Sequence, residues 1–242
     1  MPLTPESIRA ALSDQPLIKQ VLHTHSIGST NDLARQLAND GAEEIALIST
    51  NEQTAGRGRQ GRSWFTPRGS ALAISLLTRP AIPAPRAMLL TMLAGLAVVE
   101  GIEDATNLHL DLKWPNDVVS IANDQMPNAK LRKVGGILTE CSFQNDQIEY
   151  AIVGIGLNVD VDFSQQESLR NSATSLIELS GLPIDQLVVL KAIVTRFIDH
   201  YSWLGNEVKL RDAWRARLIN LGQHVSVQSG AEILEGLAEA VD

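Results

Sequence analysis

Residues 53–64 read QTAGRGRQGRSW, and within them three arginines alternate with three glycines. Glycine permits backbone conformations that are closed to other residues, so several guanidinium groups are able to converge on one small volume. Apolar runs typical of buried strands flank the segment, at residues 45–50 and 71–77. The pattern predicts a loop that wraps an anion and is anchored at both ends, which we call the Arg-Gly loop. A basic surface loop or an Arg-Gly patch for nucleic acid would explain the same residues.

The composition narrows these alternatives. The chain has 242 residues, 44% of them hydrophobic, which is enough for one large domain or for one domain with a small appendage. Its formal net charge is −8 and its pI is about 5.1. Binding dominated by phosphate contacts needs a basic face, so this charge argues against a general nucleic-acid binder. The loop arginines therefore indicate a local site.

Cysteine and histidine usage excludes several kinds of site. The single cysteine, Cys141, allows no internal disulfide and no multi-cysteine metal site. Its strand-like neighbours favour a structural thiol over a nucleophile. The five histidines show no metal-ligand spacing, so we predict no protein metal site. We find no apolar run near the ~20 residues of a membrane span and no signal peptide, and we therefore expect a soluble cytoplasmic protein without a membrane partner.

A polar segment, SIGSTND, follows a predicted strand at residues 21–25. Ser29 or Thr30 is suited to begin a helix, with Asp32 completing a capping box to Ser29. Helix capping alone explains the serine and the threonine. A role in binding a polar ligand group is the alternative, and both interpretations are compatible.

A fourth predicted strand ends in a distinctive turn. Residues 108–113 read LHLDLK, which places the leucines on one face and Lys113 on the other. If the leucines meet helices, Lys113 lies on the side of the sheet that is open to a ligand. The next residues, Trp114 to Asp117, end or kink the strand, because proline cannot donate to the strand ladder. An ordinary strand end is the alternative to a site here.

These motifs together resemble the biotin protein ligases. The ligand loop of that family follows the pattern G-R-G-R-x-G-R, and here it reads GRGRQGR before Trp64. Four further motifs occur in the family's order, and the match spans about residues 29 to 158. They are Ser29-Thr30-Asn31, KWPND at 113–117, K-x-x-G-I-L-x-E at 133–140 and G-I-G-x-N at 154–158.

The resemblance implies a fold and a domain division. The fold is α+β, of the class II synthetase-like type: a mixed, mostly antiparallel sheet with helices on one face and the ligand on the other. Strands between residues 21 and 159 without regular β-α alternation agree with it. Residues 1–218 would form the catalytic domain, and 219–242 an incomplete SH3-like β domain. The first 20 residues are too short for a helix-turn-helix module, so we expect no DNA partner. The polar residues 120–130 are interpreted as an extended hairpin or a mobile insertion.

Site residues are also implied by the resemblance. Lys113, Arg59 and Arg57 would be catalytic. The residues that would bind biotin are Ser29, Thr30, Asn31, Gln53, Arg57, Gly58, Arg59, Lys113, Gly135 and Gly136. Those that would bind the nucleotide are Arg59, Arg62, Trp64, Lys113, Asn116 and Asn158.

The implied reaction converts biotin and MgATP to biotinyl-5′-AMP, and then transfers biotin to a lysine of a biotin carboxyl carrier protein. Attack of a carboxylate on the α-phosphate requires no enzyme nucleophile, and cations with preorganised donors suffice. Mg²⁺ would be held mainly by the ATP phosphates, and no cofactor would be permanently bound. The oligomeric state would be a monomer or a homodimer.

Two other functions fit parts of the sequence. Lipoate or octanoate ligation uses a related fold, but the loop of that family contains a triple glycine and ends in a His-Asp pair, both absent here. A non-catalytic module that binds an anion, a nucleotide or RNA is the second alternative. The acidic net charge and the placement of Lys113 on the pocket side argue against it.

Overall fold

The computed structural model describes residues 3–121, 131–230 and 232–241. Ser120 and Ile121 end a strand, and the rest of the segment interpreted as a hairpin or insertion, residues 122–130, lies outside the described residues. The helices of the described chain are α1 (Pro5–Ala11), α2 (Thr30–Asn39), α3 (Met88–Thr106), α4 (Leu176–Ser180), α5 (Gln186–Tyr201) and α6 (Glu207–Arg215).

One large sheet forms the centre of the fold. Among the described residues its strand order is β1-β2-β3-β7-β6-β5-β4. β1 and β2 are parallel, and the other neighbouring pairs are antiparallel. The predicted α+β fold with a mixed, mostly antiparallel sheet is therefore confirmed. The strands are β1 (Gln20–Thr24), β2 (Ala46–Thr50), β3 (Ala71–Thr78), β4 (Asp111–Lys113), β5 (Asp117–Ile121), β6 (Leu131–Gln144) and β7 (Gln147–Asn158).

The main hydrophobic core lies between one face of this sheet and helices α1, α3, α5 and α6. Helix α3 is apolar around most of its circumference, because the sheet covers one side of it and α5 and α6 cover the other. By length and composition, Ala84–Thr106 is apolar enough to cross a membrane, and 72% of its most apolar window is buried inside the protein. The expectation that no apolar run reaches this length was wrong. The run is the central core helix.

The opposite face of the sheet is only partly covered. Helix α2 packs there through Ala34 and Ala38 against Ile48, Leu77 and Ile152. Most helices therefore share one face, as expected, whereas α2 covers the part of the other face formed by β2, β3 and β7. Alternation along β7 explains the division, since Val153 and Ile155 point to the main core while Gly154 and Gly156 lie on the α2 face. The uncovered remainder of this face is a pocket.

The C-terminal residues form a hairpin of β8 (His224–Ser229) and β9 (Glu232–Leu237). In the described chain these strands form a two-stranded sheet of their own. Their connection to the large sheet passes through residues 217–220. The Ile219 amide donates to the carbonyl of Leu112, and the Asn220 side chain accepts from the Trp114 amide.

Gly101 lies where α3 packs tightly against the backbone of α5, and its substitution tests the packing of the core. A Cβ atom at this position would lie 2.7 Å from the backbone nitrogen and Cα of Ile193. Backbone atoms cannot swing aside, so we expect Gly101→Ala to lower the free energy of unfolding by about 1–3 kcal/mol in urea denaturation, despite alanine's better helix propensity. Gly205→Ala is the control, because its Cβ would meet nothing within 4 Å. Equal midpoints for the two variants would contradict the expected clash.

Candidate active site

A pocket of about 1150 Å³ opens on the uncovered face of the sheet. Its walls are the start of α2, the Arg-Gly loop, the turn between β4 and β5, and the β8–β9 hairpin. Five sequence motifs that are far apart along the chain therefore meet in one cavity. Of the predicted site residues, those lining it are Ser29, Thr30, Asn31, Gln53, Arg57, Gly58, Arg59, Arg62, Trp64, Lys113, Asn116, Gly136 and Asn158.

Glycines form the floor of this pocket. Gly136 of β6 lies directly opposite Gly156 of β7, and Gly154 follows on the same face. Gly135, which we predicted to bind biotin, is not among the lining residues. A Cβ on Gly135 would lie 2.9 Å from the Gly156 carbonyl oxygen, so this glycine permits close packing within the sheet. Successive strand residues point to opposite faces, which prevents both members of the pair from facing the ligand.

Gln53 caps the N-terminus of α2. Its Oε1 accepts from the Thr30 amide at 2.9 Å and from the Thr30 hydroxyl at 3.2 Å. Ser29 occupies the N-cap position without a side-chain capping bond, so the predicted capping box with Asp32 was wrong. The physical reason is that Gln53 Oε1 accepts the hydrogen bond at the helix end, while the Asp32 carboxylate pairs with Arg57. Within the described residues the Ser29 hydroxyl has no hydrogen bond, which leaves it available to a ligand.

A buried hydroxyl on the sheet orients the next residue of this motif. Ser75 of β3 is fully buried, and its hydroxyl donates to Asn31 Oδ1 at 2.6 Å. Asn31 Nδ2 in turn donates to Glu140 Oε2 at 2.6 Å. The Asn31 amide therefore has partners at both ends and lies flat over Gly154. In this structure it shapes the pocket, and its hydrogen-bonding groups are already used.

Arg57 forms a bidentate ion pair with Asp32. Its Nη1 and Nη2 each lie 2.6 Å from a carboxylate oxygen of Asp32. The hydrogen bonds from Arg57 are the largest cause that lowers the pKa of Asp32, and the same pair raises the pKa of Arg57. Arg35 extends the cluster, contacting Asp32 at 2.9 Å and Glu140 at 2.7 Å. Arg57 is thus neutralised by the protein itself.

Three other cations line the same pocket but, unlike Arg57, form no ion pair with a described residue. Arg59, Arg62 and Lys113 are exposed, and no ion pair joins them to any residue that the structure describes. The loop holds the two arginines through backbone bonds: the Gly58 amide donates to the Arg62 carbonyl at 2.7 Å, and the Trp64 amide donates to Gly56 at 2.8 Å. Positive φ angles at Gln60 (56°) and Gly61 (71°) make the tight turn between them.

Trp64 and Lys133 cover the far end of the glycine floor. A Cβ on Gly156 would lie 2.6 Å from Trp64 Cε2, which shows how closely the indole rests on the strand. Lys133 Nζ lies 5.2 Å from the centre of that ring and 2.5 Å from an Asp117 carboxylate oxygen. Lys133 belongs to the K-x-x-G-I-L-x-E match, but we assigned it no role from the sequence.

The two asparagines of the predicted nucleotide site, Asn116 and Asn158, hydrogen-bond to backbone carbonyls of the fold. Asn116 Nδ2 donates to the Ile137 carbonyl at 2.6 Å, which fixes the turn between β4 and β5 on β6. Asn158 Nδ2 donates to the Thr174 carbonyl at 3.1 Å. Both side chains still line the pocket, through their remaining surface.

Groups for covalent or metal chemistry are not gathered here. Burial raises the pKa of Cys141 to about 11, which agrees with a structural thiol. Within residues 3–121, 131–230 and 232–241 no group of three or more His, Cys, Asp or Glu side chains is placed to hold a metal ion.

Sequence reasoning missed several contributors to the site. Ser75 could have been noticed as a polar residue in an otherwise apolar strand, and Glu140 ends a motif that was recognised. Thr66, which accepts from Gln53 Nε2 at 3.3 Å, gave no signal. Hairpin residues at 224–228 also line the pocket, in a segment to which no pocket role was assigned.

The glycine-rich strands, the Arg-Gly loop and the turn after β4 bring together the motifs of one protein family. Residues 24–158 match the Biotin/lipoate A/B protein ligase family, and the chain belongs to this family.

Named relatives are similar over most of the chain. The bifunctional ligase/repressor BirA of Bacillus spizizenii is 34% identical over 245 residues, covering 99% of this chain and 72% of that protein. The biotin–[acetyl-CoA-carboxylase] ligase of Paracoccus denitrificans is 31% identical over 88% of this chain and 87% of its own length. Among solved structures, the biotin protein ligase of Aquifex aeolicus in complex with biotin and ATP matches with a TM-score of 0.72 and 26% identity. That match covers 91% of this chain and 87% of the other.

Gly154→Ala tests whether the orientation of Asn31 depends on the bare floor. The added Cβ would overlap the Asn31 amide oxygen and lie 3.0 Å from its Cγ. Moving Asn31 leaves Ser75 and Glu140 without this partner, so we expect a loss of about 1–3 kcal/mol in the free energy of unfolding. Gly58→Ala is the control within the same pocket, since its Cβ would lie 3.6 Å from the Arg62 carbonyl oxygen. The prediction is wrong if both variants unfold at the wild-type midpoint.

Proposed function

We propose that this protein activates biotin with ATP to biotinyl-5′-AMP and transfers biotin to a specific lysine of a biotin carboxyl carrier protein. The observation that carries the proposal is that Arg59, Arg62 and Lys113, which form no ion pair with any described residue, line one pocket together with the glycines of β6 and β7. Membership of the family, and the similarity to a ligase solved with biotin and ATP, support the same assignment.

The glycines of β6 and β7 let flat groups lie close against the sheet, as the Trp64 indole does on Gly156. The slot that we assign to the ring system of biotin is therefore bounded by Trp64 and Lys133 as well as by the strands. The ureido group of biotin has one strong acceptor and two donors, and therefore needs polar partners in an otherwise apolar slot. Ser29 supplies a free hydroxyl there. Thr30 and Gln53, already paired to each other, fix the edge of the slot.

The first chemical step joins biotin to the nucleotide. A biotin carboxylate oxygen attacks the α-phosphorus of ATP, a new O–P bond forms, and the bond to the β-phosphate oxygen breaks as pyrophosphate leaves. Negative charge grows on the phosphoryl oxygens, so cations aimed at them lower the barrier. Arginine suits bidentate phosphate contacts, which we assign to Arg59 and Arg62. Lys113 adds a compact charge from the end of β4.

The second step moves biotin to the acceptor protein. The lysine amine attacks the carbonyl carbon of the mixed anhydride and a C–N bond forms. The bond between that carbon and the bridging oxygen breaks, AMP leaves with the oxygen, and the amine loses a proton. An adenylate exposed to water would hydrolyse, and the Arg-Gly loop lies where it would cover this intermediate. Magnesium enters as part of the ATP substrate, bound mainly by phosphate oxygens.

The division at residues 218 and 219 is part of the proposal. Its support is that β8 pairs with β9 alone in the described chain, while residues of the hairpin wall the pocket. The hairpin would then contribute to nucleotide or acceptor contacts. The cytoplasmic location, the monomeric or homodimeric state and the lack of a DNA partner stay predictions.

Biotin-dependent exchange of pyrophosphate into ATP is the direct test, with lipoate and octanoate assayed beside biotin. Exchange with biotin alone is the expected result. Exchange with lipoate or octanoate alone would show that the protein is a lipoate or octanoate ligase. Binding of ATP without exchange for any of the three acids would favour the non-catalytic module.

Lys113→Ala tests the role of the compact charge at the end of β4. Loss of one preorganised charged contact should slow adenylate formation by roughly 10²–10³, equivalent to about 2.7–4 kcal/mol, by analogy with oxyanion donors. Lys191→Ala is a suitable control, because Lys191 pairs with Asp14 at 3.1 Å and lies on α5, outside the pocket lining. Adenylation by the Lys113 variant within threefold of wild type would show that Lys113 is not catalytic.

A further inference from the structure

We infer that Asp32 is a positioning residue for the adenylation reaction: through Arg57 it fixes the beginning of the Arg-Gly loop to helix α2, so that Arg59 and Arg62 face the bound ligand. The inference rests on the proposed function for its catalytic consequence. Its structural part, the anchoring of the loop, stands on the contacts of the described residues.

The ion pair is suited to fixing an orientation. Both oxygens of Asp32 accept from the two terminal nitrogens of Arg57, each at 2.6 Å. A bidentate fork of this kind fixes the plane of the guanidinium group as well as its distance. Arg57 also pairs through its backbone with Ser63, at the other end of the turn. Holding Arg57 therefore holds both sides of the loop.

Asp32 lies where such an anchor has the most effect. It belongs to the first turn of α2, directly after Ser29, Thr30 and Asn31, which line the pocket. Arg35 forms ion pairs with both Asp32 and Glu140, and Glu140 accepts a hydrogen bond from Asn31. The loop and the end of the pocket assigned to biotin are thus attached to one rigid element.

Arg57 consequently has a different role from its neighbours. We predicted from the sequence that it is catalytic, but two of its nitrogens already point at Asp32, and its Nη2 is also 4.0 Å from a Glu140 oxygen. Arg59 and Arg62 have no such partner among the described residues. The structure assigns Arg57 to positioning and leaves phosphate contacts to the other two arginines.

The small contribution of this ion pair to folding distinguishes a positioning role from a stabilising role. The side chains of Arg57 and Asp32 are 37% and 46% exposed, and exposed ion pairs contribute about 0–1 kcal/mol to folding. Loss of this pair should leave the global fold nearly as stable as before. A large change in function after its removal would therefore report on the position of the loop.

A matched pair elsewhere in the chain provides the control. Arg196 of α5 binds Asp104 of α3 through two hydrogen bonds of 2.6 and 2.9 Å. These side chains are 37% and 45% exposed, almost the same as in the first pair. The pKa of Asp104, like that of Asp32, is lowered chiefly by hydrogen bonds from its arginine. Asp104 is not among the residues that line the pocket.

The central experiment compares Asp32→Asn with Asp104→Asn. We expect Asp32→Asn to release biotinyl-adenylate into solution about tenfold faster and to lower kcat/KM for transfer by a similar factor, since small displacements of positioning groups have effects of this size or larger. Asp104→Asn should match wild type in both, and the two variants should melt at similar temperatures. Asp32→Glu keeps the carboxylate and should recover most of the retention. Release from Asp32→Asn at the wild-type rate would overturn the inference.

A double-mutant cycle with Arg57→Gln tests whether Asp32 acts through Arg57. If it does, the variant carrying both changes should be no worse than the more affected single variant, because the second change removes a partner already lost. Effects that multiply would show that the two residues act independently, and the inference would be wrong.

Limited trypsin digestion of the free protein separates this inference from the proposed function. Trypsin cleaves after Arg59 and Arg62 once the loop is released, so Asp32→Asn should be cut there faster than Asp104→Asn, with no substrate present. Faster cleavage without any biotin-dependent exchange in wild type would refute the function and support the anchor. Unchanged cleavage together with normal wild-type exchange would refute the anchor and support the function.

Discussion

The pairing of β6 with β7 is the constraint on which the rest of the site depends. Its register places Gly136 against Gly156 on one face and Ile137 against Ile155 on the other. The second face is buried under α3, which fixes the strands to the main core. The first face has no side chains of its own at these positions, so Trp64 and Lys133 lie close against the strands and form this part of the pocket with them. A one-residue slip of either strand would turn its glycines toward the core and its isoleucine toward the pocket. Neither the core packing nor the pocket would then form.

The charged residues around this pocket divide into two groups with different physical states. Arg57 and Lys133 are compensated by Asp32 and Asp117, whereas Lys113 and the arginines at 59 and 62 face the pocket without a carboxylate partner among the described residues. Unpaired cations are tolerated because they are exposed to water until a ligand arrives. The compensated ones can be held in one place at all times. A protein with a net charge of −8 thus gathers several cations in one pocket.

Local patterns in the sequence were enough to predict the strands on either side of the Arg-Gly loop, and the family resemblance implied that the distant motifs share one site. What they could not supply was the partner of each side chain. Asp32 and Arg57 are 25 residues apart, and only the folded chain shows that they pair. The same holds for Gln53, which displaced the predicted capping box. The prediction for Gly135 differs from these, because strand alternation alone implies that Gly135 and Gly136 face opposite sides of the sheet.

Helix α2 explains how a glycine-rich loop can have a defined position. Glycine makes the backbone of residues 56–61 adaptable, and an adaptable loop loses more conformational entropy when it closes over a ligand. A contact that already restricts its first arginine reduces that loss before the ligand binds, which is the physical meaning of preorganisation. The contact is on α2 because this helix is fixed twice, by Ala34 and Ala38 on the sheet and by Gln53 at its N-terminus. Gly58 and Gly61 lie beyond this contact, in the part of the loop that carries Arg59 and Arg62.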